Sequence, residues 1–262
     1  MDLFAGKVGF AERDARRALE ARFSGAEQPY SIAISGAVPH SPESDLLFRS
    51  LRRALAGDSK LPQAVRAIRG MSGQKYRSFI NNTIEALGEA RYLEIGCWAG
   101  STAAAALFGN TAKCLCIDNW SEFGGPKGEF FANMAIVRSD RIGFAFLEKD
   151  FRAVDFASIG RFNVYLFDGP HSERDQYDGI RLAQPALDDR YILIVDDWNW
   201  TRVREGTLRG LVDTRSSIEM SIEVRTSRTN TQPSIAYGQS DWHNGYFIAL
   251  VRKAGAAVPA AE

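Results

Sequence analysis

Three cysteines, three histidines and no apolar run of membrane length set the first limits on this 262-residue chain. Cys97, Cys114 and Cys116 are odd in number, and the last two lie too close together for an easy bridge. No further Cys or suitably spaced His completes a zinc set, so neither a disulfide framework nor a structural zinc is expected. The three read as reduced thiols, mostly core filling. No stretch approaches the roughly 18 to 20 apolar residues of a membrane span. The opening MDLFAGKVGFAERDARR lacks the basic, apolar and small-residue order of a secretory signal, so a cytoplasmic protein is expected. An excess of charge is missing too: 32 Lys plus Arg balance 32 Asp plus Glu. No overall field draws nucleic acid or an anionic membrane, and neither is expected as a partner. There is no internal repeat, and the only biased tract is a short alanine-rich tail at 254–262, expected to be disordered.

What is present is an ordinary globular composition, 45% hydrophobic and 24% charged, in a length that suits one large domain or a domain with an appendage. Residues 1–70 read as a helical and irregular extension, with the stretches RDARRALEARF and FRSLRRALAG separated by SGAVPHSPES. Glu, Asp and Leu interrupt the basic residues, which favours surface helices over a nucleic-acid-binding arm. The extension is expected to act as a lid or an interface, including one for homo-oligomerisation. From Met71 the pattern tightens. The spacing predicts a helix over Gln74 to Leu87, then a strand at 91–95. AKCLCIDNW, IGFAFLEKDF, FNVYLFDGPH and YILIVDDWNW read as four further strands, with NMAIVRSD and ERDQYDGIRLAQPAL helical between them. Alternating strands and helices predict an α/β fold: a Rossmann-like, doubly wound, seven-stranded, mostly parallel sheet over residues 71–253. Two last strands, at about 217–226 and 244–252, are expected as an antiparallel pair at one edge.

Residues 92–110, YLEIGCWAGSTAAAALFGN, run from a buried strand through two glycines into an alanine-rich helix. Gly96 and Gly100 suit a tight turn with a ligand close to the backbone. Ser101 or Thr102 is expected to cap the helix. Glu94, a charge in an apolar run, needs a reason to be there. The dinucleotide fingerprint G-x-G-x-x-G is absent, because Gly96-Cys97-Trp98-Ala99-Gly100 lacks its central glycine. Each later strand closes on an acid: Asp118, Asp150, Asp168, and the pair Asp196 and Asp197. Any one of them could be a helix cap or turn former. In a parallel sheet, however, strand carboxyl ends share one rim and ligands bind outside it, so the acids are expected around one cleft.

With these residues in view, the chain from about 71 to 252 resembles the class I S-adenosylmethionine-dependent methyltransferases. LEIGCWAGST is similar to their first motif, E-x-G-x-x-x-G-[ST]. The resemblance implies S-adenosylmethionine as cofactor, held by Glu94, Gly96, Gly100 and Ser101, with its ribose on Asp118 and adenine beside Asp150. GMSGQKYR, residues 70–77, is similar to a lead-in segment that crosses the cofactor, which puts Met71, Ser72 and Lys75 at the methionine end; a helix start capped by Ser72 is the plainer alternative. FDGPHSERDQYDGIRLAQPAL followed by ILIVDDW resembles the D-G-x-H-[ST] segment and paired acids of small-molecule O-methyltransferases acting on macrolide and aminocoumarin sugars, a pattern shared by cephalosporin-hydroxylase-like proteins. It implies a sugar or natural-product-like methyl acceptor, magnesium on Asp168, Asp196 and Asp197, and catalysis by His171 with Asp168. Three carboxylates make a reasonable oxygen shell for magnesium, and an imidazole with a pKa near 6.5 suits a general base. The alternatives are a metal-free acid cluster contacting substrate or helix ends, and a His171 that only orders its loop. Ser172-Glu173-Arg174 departs from the family's usual Ser-Tyr pairing. Trp198, Trp200, Asp241, Trp242 and His243 are expected near the same rim, as acceptor contacts or plain packing. Two other classes stay open: a nicotinamide-dependent oxidoreductase and a non-catalytic nucleotide-binding protein on the same fold.

Overall fold

The computed structural model describes residues 30–36, 41–233 and 240–256. The basic stretch at 13–23, His40 and the tail from 257 onward lie outside the described residues. The elements run β1 (Ser31–Ser35), α1 (Pro42–Leu55), α2 (Gln63–Arg66), α3 (Gln74–Leu87), β2 (Ala90–Ile95), α4 (Ser101–Leu107), β3 (Ala112–Asp118), α5 (Lys127–Val137) and β4 (Ile142–Glu148). They continue β5 (Phe162–Phe167), α6 (Glu173–Ala183), β6 (Leu187–Asp196), α7 (Thr201–Asp213), β7 (Ser217–Arg225) and β8 (Tyr246–Arg252).

All eight strands join one sheet in the order β1-β7-β8-β6-β5-β2-β3-β4. The five strands β2 to β6 are parallel to one another, whereas β8 runs against both β6 and β7, and β1 runs against β7. Chain order runs outward from β2 through β3 to β4, then restarts at β5 on the other side of β2. The switch point therefore lies between β2 and β5, where the crevice of an open α/β sheet is expected. Side chains alternate across β2: Tyr92 faces a core built with α1, α3 and α4, while Leu93 and Ile95 face one built with α6 and α7. Ala103 to Ala106 are wholly buried, and their small side chains let α4 lie close against its neighbours.

Two expectations are corrected. Seven strands become eight, because the SIAIS segment, placed above in a helical extension, forms β1 and pairs antiparallel with β7 from Ser31↔Arg225 to Ser35↔Ser221. The last two strands pair antiparallel on one side of the sheet as expected, and β1 joins them there as the outermost strand. Neither serine caps as expected. Helix α4 starts from Gly100 at φ 82° and α3 from Gly73, both without a side-chain cap. Instead Ser72 Oγ and Ser101 Oγ face each other at 3.1 Å, and Ser72 Oγ accepts from the buried Arg77 Nε.

Candidate active site

The carboxyl ends of β2, β3, β5 and β6 open into a cleft of about 1020 Å³, open mouth included. Met71, Gly96, Asp118, Asp168, His171, Asp196 and Asp197 line it, so seven of the predicted site residues meet there. Gly96 sits at the switch point itself. Its φ is 85°, and an added Cβ would come within 1.9 Å of the Asp168 carbonyl oxygen, so only glycine lets β2 turn away beside β5. Gly100 and Ser101 stand behind the turn. Asp150 does not line the cleft; it accepts from the Arg152 amide and pairs with its guanidinium.

Asp118 ties the rim together. Its Oδ2 accepts from the amides of Cys97 and Trp98 at 2.8 and 2.9 Å, and its Oδ1 from the Trp120 amide at 2.8 Å. The glycine turn and the loop after β3 are thus fixed to one carboxylate, whose remaining lone pairs can still accept hydroxyls. Trp98 Nε1 donates to the Phe123 carbonyl across the same two loops.

Glu94 gets its reason from the interior. It is 1% exposed, accepts from Tyr92 Oη at 2.6 Å, and burial pushes its carboxyl up to about 8; Tyr92 opposes the shift, and Asp168 and Asp118 add to it. Burial likewise raises Asp168, to about 6, with His171 opposing and Asp197 adding. Asp196, 4% exposed, is raised well above the carboxylate range by burial and by its two acidic neighbours. His171 Nε2 lies 2.9 Å from Asp197 Oδ2 and 3.6 Å from Asp168 Oδ1, at ion-pair distance without hydrogen-bond alignment. Burial works against its charge, but the two carboxylates win and push it up to about 10. An imidazole held between two carboxylates is favoured in its protonated form.

The donor chemistry of Asp168, Asp196 and Asp197 suits magnesium, but their arrangement does not. The His171 ring nitrogen occupies the space between Asp168 and Asp197, and among the described residues no group of three or more His, Cys, Asp or Glu side chains is placed to hold a metal ion. A sulfonium cofactor fits better. Among the described residues five carboxylic side chains line the cleft, Asp118, Glu122, Asp168, Asp196 and Asp197, and no Lys or Arg does.

Several lining residues had no strong signal in the sequence: Trp98, Trp120, Phe123 and Gln232 were not singled out, and Trp200 and His243 were only weak candidates. Trp198 and Trp242 pack instead. Trp198 stacks on Phe247 at 4.3 Å, and Trp242 is buried beside Tyr30. Asp241 pairs with Lys75, which therefore faces the start of β1 and does not line the cleft. Trp98, Trp120, Phe123, Asp197 and His243 all have positive φ, so the left-handed residues other than glycine concentrate at the cleft. Such strain persists only where surrounding contacts enforce it. For Asp197 they are Asn244, donating to Oδ1 at 2.8 Å, and Asn199, which binds Asn244 in turn.

A doubly wound sheet with a glycine turn at its switch point and an acid-lined cleft above it has a Rossmann-like architecture. Residues 93–198, from β2 to just past β6, match the family model described as a methyltransferase domain. No curated protein matches the chain. Among solved structures, TrmN from Thermus thermophilus is similar at 16% identity over 72% of this chain and 52% of its own, with a TM-score of 0.49. The chain thus spans about half the length of that protein. The SAH-bound methyltransferase PaMTH1 of Podospora anserina is 15% identical over 95% of this chain and 99% of its own, TM-score 0.46. The O-methyltransferase of Bacillus cereus in complex with SAH is 15% identical over 82% and 93%, TM-score 0.46. Likenesses this loose assign neither activity nor substrate.

Proposed function

We propose that this protein transfers a methyl group from S-adenosylmethionine to a hydroxyl of a small, sugar-like or natural-product-like molecule. The observation that carries the reading is the cleft's acidic lining: among the described residues five carboxylic side chains and no Lys or Arg, directly above the Gly96–Gly100 turn. A sulfonium and an ammonium group are drawn to such a site, whereas the diphosphate of a nicotinamide dinucleotide or the phosphates of RNA are repelled. The missing middle glycine counts in the same direction. When bound, the cofactor supplies an electrophilic methyl; the protein's part is to hold, orient and deprotonate.

In this reading the ribose hydroxyls take the remaining lone pairs of Asp118, the Gly96 turn lies against the cofactor, and Met71 meets its methionine end. Asp150 reaches adenine only by giving up Arg152. Asp168 and His171 stand on the acceptor's side, where a charged His171 donates a hydrogen bond and leaves the acceptor's proton in place. Magnesium assistance would require His171 to swing out from between Asp168 and Asp197, so the reading runs without metal. The test is mass spectrometry of hydroxylated sugars and polyketide-like alcohols incubated with the protein and S-adenosylmethionine. Gain of one methyl on oxygen is expected; transfer only to RNA or to nitrogen would overturn the acceptor class.

A further inference from the structure

Two imidazoles line the cleft, and they are held in opposite ways. His171 has its Nε2 between the carboxylates of Asp197 and Asp168, at 2.9 and 3.6 Å, and its ring edge-on to Trp200. His243 lines the same cleft on the loop before β8, yet among the described residues no ion pair engages it. Its Nε2 lies 3.2 Å from Gln232 Nε2, a neutral amide that can donate to an unprotonated ring nitrogen. The backbone behind the ring is fixed: φ is 42°, the His243 amide donates to Ser240 Oγ at 2.5 Å, and its carbonyl accepts from Thr226 Oγ1 at 2.8 Å. Its neighbour Asn244 is wholly buried and holds Asp197. An off-rule backbone kept by two hydrogen bonds places this ring at the cleft wall, next to the acids, with a neutral side chain against its ring nitrogen.

We propose that His243, not His171, takes the proton from the acceptor's hydroxyl. The inference rests on the methyl-transfer reading above. In the step, the acceptor's O–H bond breaks and its proton goes to the His243 ring nitrogen, giving an imidazolium. The oxygen keeps the electron pair and bonds with it to the methyl carbon, whose bond to sulfur breaks with its pair left on sulfur. The proton then leaves His243 for water at the open mouth. Gln232 yields its place on the ring to the acceptor, exchanging one neutral hydrogen bond for another. Burial lowers the basicity of His243, with Asp197 opposing, so the ring is neutral and ready to accept at pH 7.

The chain's three histidines, His40, His171 and His243, make the test direct. The full-length protein is treated at pH 7 with diethyl pyrocarbonate, which acylates neutral imidazole nitrogen, and each histidine peptide is followed by mass spectrometry. His243, facing a neutral amide, is expected to react at least about tenfold faster than His171, which is held between two carboxylates. Gln232→Ala, which uncovers the ring, is expected to raise the His243 rate further. Faster reaction of His171, or no reaction at either, overturns the assignment. Calorimetry with S-adenosylhomocysteine on the same preparation separates the failures. Lost binding sinks the methyl-transfer reading, whereas intact binding with an unreactive His243 sinks this inference alone.

Discussion

Asp118 accepts three backbone amides, so its removal both frees the glycine turn and deletes the ribose acceptor. Hydrogen bonds to a charged group contribute roughly 1.5–3 kcal/mol each, so Asp118→Ala is expected to weaken S-adenosylhomocysteine binding by about ten- to a hundredfold or more in calorimetry. An unchanged affinity would place the ribose elsewhere. Glu94 gives a prediction in pH. Its folded pKa, about 8, is raised above the ordinary 4.5, so the unfolded chain gives up its proton first as pH climbs. The stability associated with this group is complete below about 4.5, falls as pH rises, and is lost by about 8, at a cost of roughly a few kcal/mol. Glu94→Gln, uncharged throughout, is expected to flatten that slope in urea denaturation series at pH 5, 7 and 9. A slope identical to wild type would show that Glu94 does not cause it. At this scale the strand-end acids were legible because each closes an apolar run. The state of His171 was not, because it depends on Asp197, far along the chain, coming within 2.9 Å.

Among the elements, α3 and α4 form the platform under the turn, and Asn81 joins them. Its Nδ2 donates to the Ala105 and Phe108 carbonyls at 2.8 and 2.9 Å, serving the open end of α4, while Asn110 Nδ2 returns a bond to the Asn81 carbonyl. Asn81→Ala leaves those carbonyls without this donor and is expected to cost about 2–3 kcal/mol in urea unfolding. A loss under about 0.5 kcal/mol would show that α4 does not need this clamp. The bounds of α3, Gln74 to Leu87, were readable from its spacing, and Gly88 after it takes the positive φ of a helix end. The starts of α3 and α4 were misread for one reason. Ser72 and Ser101 are cap-type residues, but the fold uses them to bind each other and Arg77, a contact between segments about 30 residues apart that no local pattern encodes.

For the whole molecule, β1 covers the edge of a sheet that would otherwise end at β7. A chain lacking residues 1–36 exposes the backbone groups of β7 and is expected to self-associate in light scattering; a truncated chain that stays monomeric would show that β1 is dispensable as an edge guard. Five alternating residues, SIAIS, were the only sequence signal for β1, too short to stand out in a polar, Arg-rich region. The parallel sheet was legible in regular strand–helix alternation, and its topology was enough to bring the acids of β3, β5 and β6 to one rim. The other wall was not legible: Gln232 and His243 approach from the segment between β7 and β8, and tertiary packing alone brings them to Asp197. The account stands or falls on what the cleft binds. Calorimetry of the full chain with S-adenosylhomocysteine and, separately, with NAD measures this most directly. Saturable binding of S-adenosylhomocysteine with none of NAD is predicted from the acid-lined cleft; binding of NAD alone, or of neither, would contradict it.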